Sequence, residues 1–309
     1  MNKLRISIAS LIIGAIAAST PLNAQTISSG DSVLNFLSPQ TPLGISISQG
    51  IENSFGSDLK SPGTGDLSIL RLDTNLTYSK SYDLSFFRAG FTYEYSDYDW
   101  SNASPFSKTN SFGLNGFGLH TFEKDRPWGV FGLASLRWGA EDNASLGEGF
   151  SFLGAVGPTY SFSKKLRIGA GLMVITQPQQ ATRYLPIVTL NWEINDHWSI
   201  RTFNGATVTY DLNADKETRL DFTVQYETRD FVLKTQTSPT GITDEPAVAE
   251  ESVIVVFGVT QKIGGPFFVR AYLEGNLFRE FELRADGNKY QTIKSDPAIG
   301  LGFQVGANF

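Results

Sequence analysis

Along most of the chain, apolar and polar side chains alternate one for one. From Ser68 to Lys80, Leu70, Leu72, Leu76 and Tyr78 share a face with Thr74, while Arg71, Asp73, Asn75 and Thr77 share the other. From Asp83 to Ser96, Phe87, Ala89, Phe91, Tyr93 and Tyr95 oppose Arg88, Gly90, Thr92 and Glu94. Between Thr218 and Thr228, Leu220, Phe222, Val224 and Tyr226 oppose Arg219, Asp221, Thr223, Gln225 and Glu227. A period of two is the signature of strands whose two faces meet different surroundings. The pattern predicts an all-β chain with strands at 42–52, 66–79, 83–96, 107–122, 128–140, 150–162, 165–176, 184–194, 197–210, 218–228, 230–236, 252–262, 267–282 and 293–309. In the first of them, Leu43, Ile45 and Ile47 alternate only briefly with Gly44, Ser46 and Ser48. In 107–122 the phase changes between Leu114 and Phe117, which predicts a bulge near Asn115-Gly116.

The connections sort into two sets. Short ones lie at 81–83, 123–127, 164, 195–196, 229 and 264–266. Longer, more polar ones lie at 53–65, 97–106, 141–149, 177–183, 211–217, 237–251 and 283–292. Short and long alternate, which places them on opposite ends of one cylinder: an up-and-down antiparallel barrel of about fourteen strands. Aromatic residues gather at the strand ends of the apolar face. Tyr78, Trp192, Trp198, Tyr226 and Phe309 fall near the short turns, and Tyr93, Tyr95, Trp138 and Tyr210 near the long loops. Tyr and Trp favour the headgroup zone of a bilayer, so two such bands bounding an apolar belt predict a membrane barrel.

The amino-terminal residues agree with export. Lys3 and Arg5 precede an apolar run from Ile6 to Ala18, and Leu22-Asn23-Ala24 offers a cleavage site, so 1–24 is read as a signal peptide. Residues 25–41 are then a periplasmic leader and 42–309 the barrel. No later apolar run reaches the ~20 residues of a spanning helix, which leaves a closed barrel as the only way through a bilayer. Only 18% of residues are charged, against roughly 25% in ordinary domains. The chain has no cysteine, which excludes thiolate metal sites and thiol nucleophiles, and its net charge of −6 offers no footprint for nucleic acid.

The last strand, "IGLGFQVGANF", alternates Ile299, Leu301, Phe303, Val305, Ala307 and Phe309 against glycines and polar residues. Together with the signal peptide it resembles the outer-membrane β-barrel superfamily of double-membrane bacteria. Within that superfamily the chain looks like a porin-like family of unknown function. The resemblance implies the cell outer membrane as location, short periplasmic turns and outer-membrane lipid as surroundings. It also implies engagement of the barrel-assembly machinery through Val305, Ala307 and Phe309. The function it implies is a passive channel for small solutes. Alternatives are a non-conducting structural or surface-binding barrel, or a transporter of hydrophobic compounds.

The polar face supplies the candidate lumen lining: Arg71, Asp73, Arg88, Glu94, Arg137, Arg167, Arg201, Asp221, Arg270 and Glu274. Charges at membrane depth need water or partners, so the interior is expected to be wet or internally ion-paired, without strong selectivity for either sign. Inward glycines such as Gly258 and Gly302 could widen it, admit a plug or allow curvature. Ile254 and Val256 of "VIVVF" add apolar character to the inner face, while the leader, with Val33, Leu34, Phe36 and Leu37, is read as a loose periplasmic segment, its insertion into the lumen being the alternative. His120 and His197 fall at strand ends, and no phosphate loop or metal-ligand spacing occurs, so the chain is not expected to be an enzyme or to need a cofactor.

Overall fold

The structure, a computed structural model, describes residues 43–60, 65–102, 104–123, 127–237 and 243–309. The signal peptide and leader lie outside the described residues. The strands are β1 (Gly44–Lys60), β2 (Asp66–Ser81), β3 (Ser85–Trp100), β4 (Lys108–Thr121), β5 (Trp128–Glu141), β6 (Phe150–Ser163), β7 (Leu166–Thr176), β8 (Arg183–Glu193), β9 (Trp198–Thr202), β10 (Gly205–Asp211), β11 (Thr218–Val232), β12 (Gln236–Thr237), β13 (Thr243–Asp244), β14 (Ala247–Gly264), β15 (Phe267–Ala285), β16 (Asn288–Ser295) and β17 (Ala298–Asn308). β1 to β11 pair in sequence order, β14 continues the ladder to β15, and β17 joins β15 to β1. The sheet therefore closes on itself, and no edge is left at the chain ends. β16 and β17 are two lengths of one wall strand, parted at Asp296-Pro297, where proline cannot donate to a ladder. Counted that way the wall has fourteen strands, with β12 and β13 forming a small separate ladder in the connection between β11 and β14.

We call the end that carries Gly44 and Phe309 the near end, and the opposite one the far end. Phe309 is tied there, since its N–H donates to the Ile45 carbonyl at 2.7 Å and Ile45 N–H donates back at 3.0 Å. β1 belongs to the barrel along its whole length, pairing with β2 and β17.

Strand number and strand boundaries part company between 197 and 236. The expected strand 197–210 is a hairpin: β9 and β10 pair across a tight turn at Phe203-Asn204, with Thr202 opposite Ala206. The expected turn at 229 does not exist, and β11 runs through Arg229 and Asp230 without a break. One hairpin gained and one lost leave fourteen strands, but they reverse the direction of 218–228. The 212–217 connection therefore lies at the near end, so the strict alternation of short and long connections fails. Phe203-Asn204 is a tight turn level with the middle of β11, and Asp286-Gly287 is a tight turn at the far end. The expected bulge at Asn115-Gly116 is also absent. β4 keeps continuous register with β3 and β5, and Phe117 and Leu119 simply point inward. Bulges occur instead between Ser54 and Ser57, and between Glu251 and Val253.

Along the wall, outward side chains are apolar and exposed while inward ones are buried, the reverse of a soluble protein. Val188 is 64% exposed and Leu301 52%, whereas Arg88 is 1% exposed. β7 and β8, 11 residues each, have the length of a tilted spanning strand. The interior is layered. An apolar cluster of Phe86, Phe117, Phe131, Leu133, Leu153 and Ile187, with others, covers the inner side of β3 to β8, and Phe203 packs on it from the turn between β9 and β10. At the far end Tyr98, Trp100, Phe106, Phe231 and Phe281 form an aromatic cap, with Tyr98–Phe106 and Phe106–Phe231 ring centroids 5.0 and 5.1 Å apart. Charged side chains lie between.

Candidate functional site: the ion-paired interior

β9 and β10 are short, so above Gln225 β11 has lost its neighbour on that side. Its far half leaves the wall and crosses the interior with β14, and Val232 pairs in parallel with Ala140 of β5. Gly139 makes this approach possible, since a Cβ there would lie 2.3 Å from the Asp230 carbonyl oxygen. Both faces of β11 are buried from Glu227 to Val232, and both faces of β14 from Ala247 to Ser252.

Two linked ion-pair groups hold this crossing pair to the wall. In the first, Arg71 of β2 donates to Glu250 of β14 at 2.7 Å and to Glu52 of β1 at 3.1 Å. Glu250 also accepts from the Tyr98 hydroxyl at 2.8 Å and lies 3.4 Å from Arg279. In the second, Glu94 of β3 pairs with Arg137 at 3.2 Å and with Arg229 at 3.3 Å, while Arg229 reaches Glu227 at 2.8 Å. All these side chains are at least nine-tenths buried. Ions so placed lose hydration worth several kcal/mol each, in order of magnitude, and stay charged only because each finds a partner. Gln177, just past β7, adds a neutral tie, its amide donating to both Asp230 oxygens at 2.8 Å.

The inward residues read from the sequence separate into three roles. Arg71, Glu94 and Arg137 are in the crossing network. Arg270 and Asp221 pair with each other nearer the near end at 2.8 Å, in space that Gly258 leaves, where a Cβ would meet Asp221 at 2.6 Å. Gly302 similarly lies under the ring of Tyr272. These two glycines seat large neighbouring side chains rather than widening a passage. Arg88 and Arg167 donate to Ser79 and Ser161, Asp73 and Glu274 each accept from an asparagine two residues on, and Arg201 is buried on β9. Ile254 and Val256 pack with Tyr272 inside.

The alternation did not reveal Glu52, Glu250, Arg229 or Arg279 as network members. Arg229 falls at an expected turn, although the phase of Arg219 to Glu227 continues through it. Glu250 lies in an acidic run that resembles loop, and Arg279 follows a bulge at Phe278, whose φ is 54°.

Among the aromatics, Tyr78 and Trp198 are exposed near the near end, Trp192 is half-buried there, and Phe309 closes the same rim. Tyr93, Tyr95 and Trp138 stand on the outward face of the far halves of β3 and β5. Two placements are corrected. Tyr210 belongs to the near end, its ring 4.6 Å from that of Trp198. Tyr226 lies in the middle of β11, because that strand runs on past 229 to Val232. At the near-end turns, Lys165 donates to Asp196 at 3.0 Å and holds its carboxyl below the ordinary range.

The geometry defines a closed fourteen-strand β-barrel with an apolar exterior and an ion-paired interior. A recess of about 20 Å³ between Arg137, Gln177, Thr228 and Asp230 has room for about one water. No family model matches the chain, and no curated protein matches it. Among solved structures it is similar to an outer-membrane channel from Pseudomonas putida F1, with 9% identity, 92% of this chain and 100% of the other covered, and a TM-score of 0.48. It is also similar to the toluene transporter TodX of P. putida, with 10% identity, 87% and 91% covered, and a TM-score of 0.41. For the NanC porin the values are 8%, 86% and 100%, and 0.40.

Proposed function

We propose that the chain is an outer-membrane barrel that carries small solutes, and that the conformation described is its shut state. The observation behind this reading is the inside-out distribution of polarity on a closed sheet. Only closure satisfies every backbone group in hydrocarbon. The exposed apolar belt asks for lipid, and charges on the inner face ask for water or one another. The near end, with both ends of the barrel wall, is the periplasmic side, and the far end is external. The inner charges are of both signs and paired, which favours a route without strong ion selectivity.

Planar-bilayer recording of the refolded protein tests this reading. Discrete openings are expected. A barrel that folds in lipid yet never conducts would make it a structural or surface-binding barrel instead. The apolar cluster on the inner face of β3 to β8 favours a second reading, passage of apolar compounds. It would take precedence if liposomes containing the protein admitted an aromatic hydrocarbon faster than a sugar of similar size.

A further inference from the structure

Four neighbouring strands lose regularity at one level. The β14 and β15 register slips between Glu251 and Val253, where Leu277 and Glu280 are the flanking partners and Phe278 has a positive φ. The next wall strand breaks at Asp296-Pro297, between the last pair of β16 and the first of β17. β1 slips between Ser54 and Ser57. At the neighbouring edge β11 loses β10 above Gln225. A bulge interrupts the ladder and bends its strand, so a line of them across adjacent strands is where a sheet folds most readily.

We propose that the part of the sheet beyond this line, comprising the far halves of β11, β14 and β15 together with β16, is a gate that swings as one panel and opens the far mouth. This inference rests on the channel reading above. The panel meets the opposite wall through one backbone bridge, Val232 with Ala140, through a few side-chain ties, and through the packing of Phe231 and Phe281 on Tyr98, Trp100 and Phe106 in the cap. Gln177 holds Asp230, and Gln179 accepts from the Gly287 N–H at 2.8 Å.

The ionic pairing suits two states. Among the described residues three ion pairs cross the seam: Arg71–Glu250, Arg229–Glu94 and, at its rim, Lys234–Glu141 at 3.5 Å. Parting them leaves Arg71 with Glu52 and Arg137 with Glu94 on the wall. The panel side keeps Arg229 with Glu227 and Arg279 with Glu250. Every arginine and every glutamate of the two buried groups then keeps a partner of opposite sign, while Glu141 parts from the exposed Lys234 at the rim. Breaking a buried pair is costly chiefly when it leaves one ion alone, and within the two groups this arrangement avoids that.

The chain lacks cysteine, so a lock across the seam is clean. The double variant Val232→Cys/Ala140→Cys is recorded in planar bilayers, oxidised and then reduced. Open events at least tenfold rarer in the oxidised protein, recovered on reduction and absent from either single variant, are expected. Equal conductance in both states overturns the gate. A second measurement separates the gate from the channel reading. Nitroxides at Thr235→Cys and Ser145→Cys, both exposed at the far end, should give two distances in lipid, one for each panel position. Two distances without any conductance would retain the panel's motion and defeat the channel. A single short distance would overturn the gate whether or not the protein conducts.

Discussion

Removing the Glu250 carboxylate should be among the most damaging single changes to the interior. Its two oxygens face Arg71 at 2.7 Å, Arg279 at 3.4 Å and the Tyr98 hydroxyl at 2.8 Å, and the Glu250 and Arg279 side chains are fully buried. At an effective dielectric of about 20, a unit pair about 4 Å apart is worth about 4 kcal/mol. Most of this gain offsets lost hydration while both partners are present. In Glu250→Ala that balance fails. Arg71 keeps Glu52, but Arg279 has no other ion-pair partner among the described residues, and Tyr98 loses its acceptor. The expected loss is about 3–5 kcal/mol, the cost of a lone buried charge. Arg279→Met should be costly for the mirror reason. Glu250→Leu combined with Arg279→Met removes both ions, and its loss should fall short of the summed singles by at least about 2 kcal/mol. Urea titration of the barrel in lipid vesicles, followed by tryptophan fluorescence, measures all three; Trp100 in the adjacent cap reports locally. A Glu250→Ala protein within about 1 kcal/mol of the parent, or single effects that simply add, would refute the network as an energetic unit.

Other outcomes follow from separate parts of the wall. Leu172→Arg, on the outward face in the middle of β7, should cost about 2–4 kcal/mol of folding in lipid; an unchanged urea midpoint would mean that this face does not meet hydrocarbon. Gly139→Val should push β11 off β5, costing about 1–3 kcal/mol and raising open probability; silence in both assays would argue against the seam. An epitope inserted between Ser145 and Leu146 should label on intact cells, and one in the 194–197 turn only after the outer membrane is opened; the reverse would invert the orientation. Lys165→Ala should let the Asp196 carboxyl titrate at higher pH, toward its ordinary range, because the ammonium favours the ionised form; carboxylate NMR shifts follow this directly.

Alternation made the barrel legible because every wall strand faces two different surroundings, and a one-residue slip would turn all its side chains over. It could not supply direction. A strand reads alike in either sense, so 218–228 keeps its inward Asp221, Thr223 and Gln225 although its direction is the reverse of that expected. Aromatic position inherited that error, and Tyr210 and Tyr226 moved with it. The turn at Phe203-Asn204 carried a signal, the Asn204-Gly205 pair, but the long alternating frame around it outweighed two residues. The crossing of β11 was hidden for a different reason. Beyond Glu227 both faces of the strand are covered by protein, so Thr228, Arg229, Asp230 and Phe231 no longer contrast an apolar with a polar side. Parity of the strand count was no safeguard either. Splitting one strand and fusing two others conserves an even number while exchanging near and far connections between them. What separates the two topologies is pairing, with Thr202 against Ala206 and Arg229 against Glu250. Pairing between strands is therefore the quantity that decides where the interior closes.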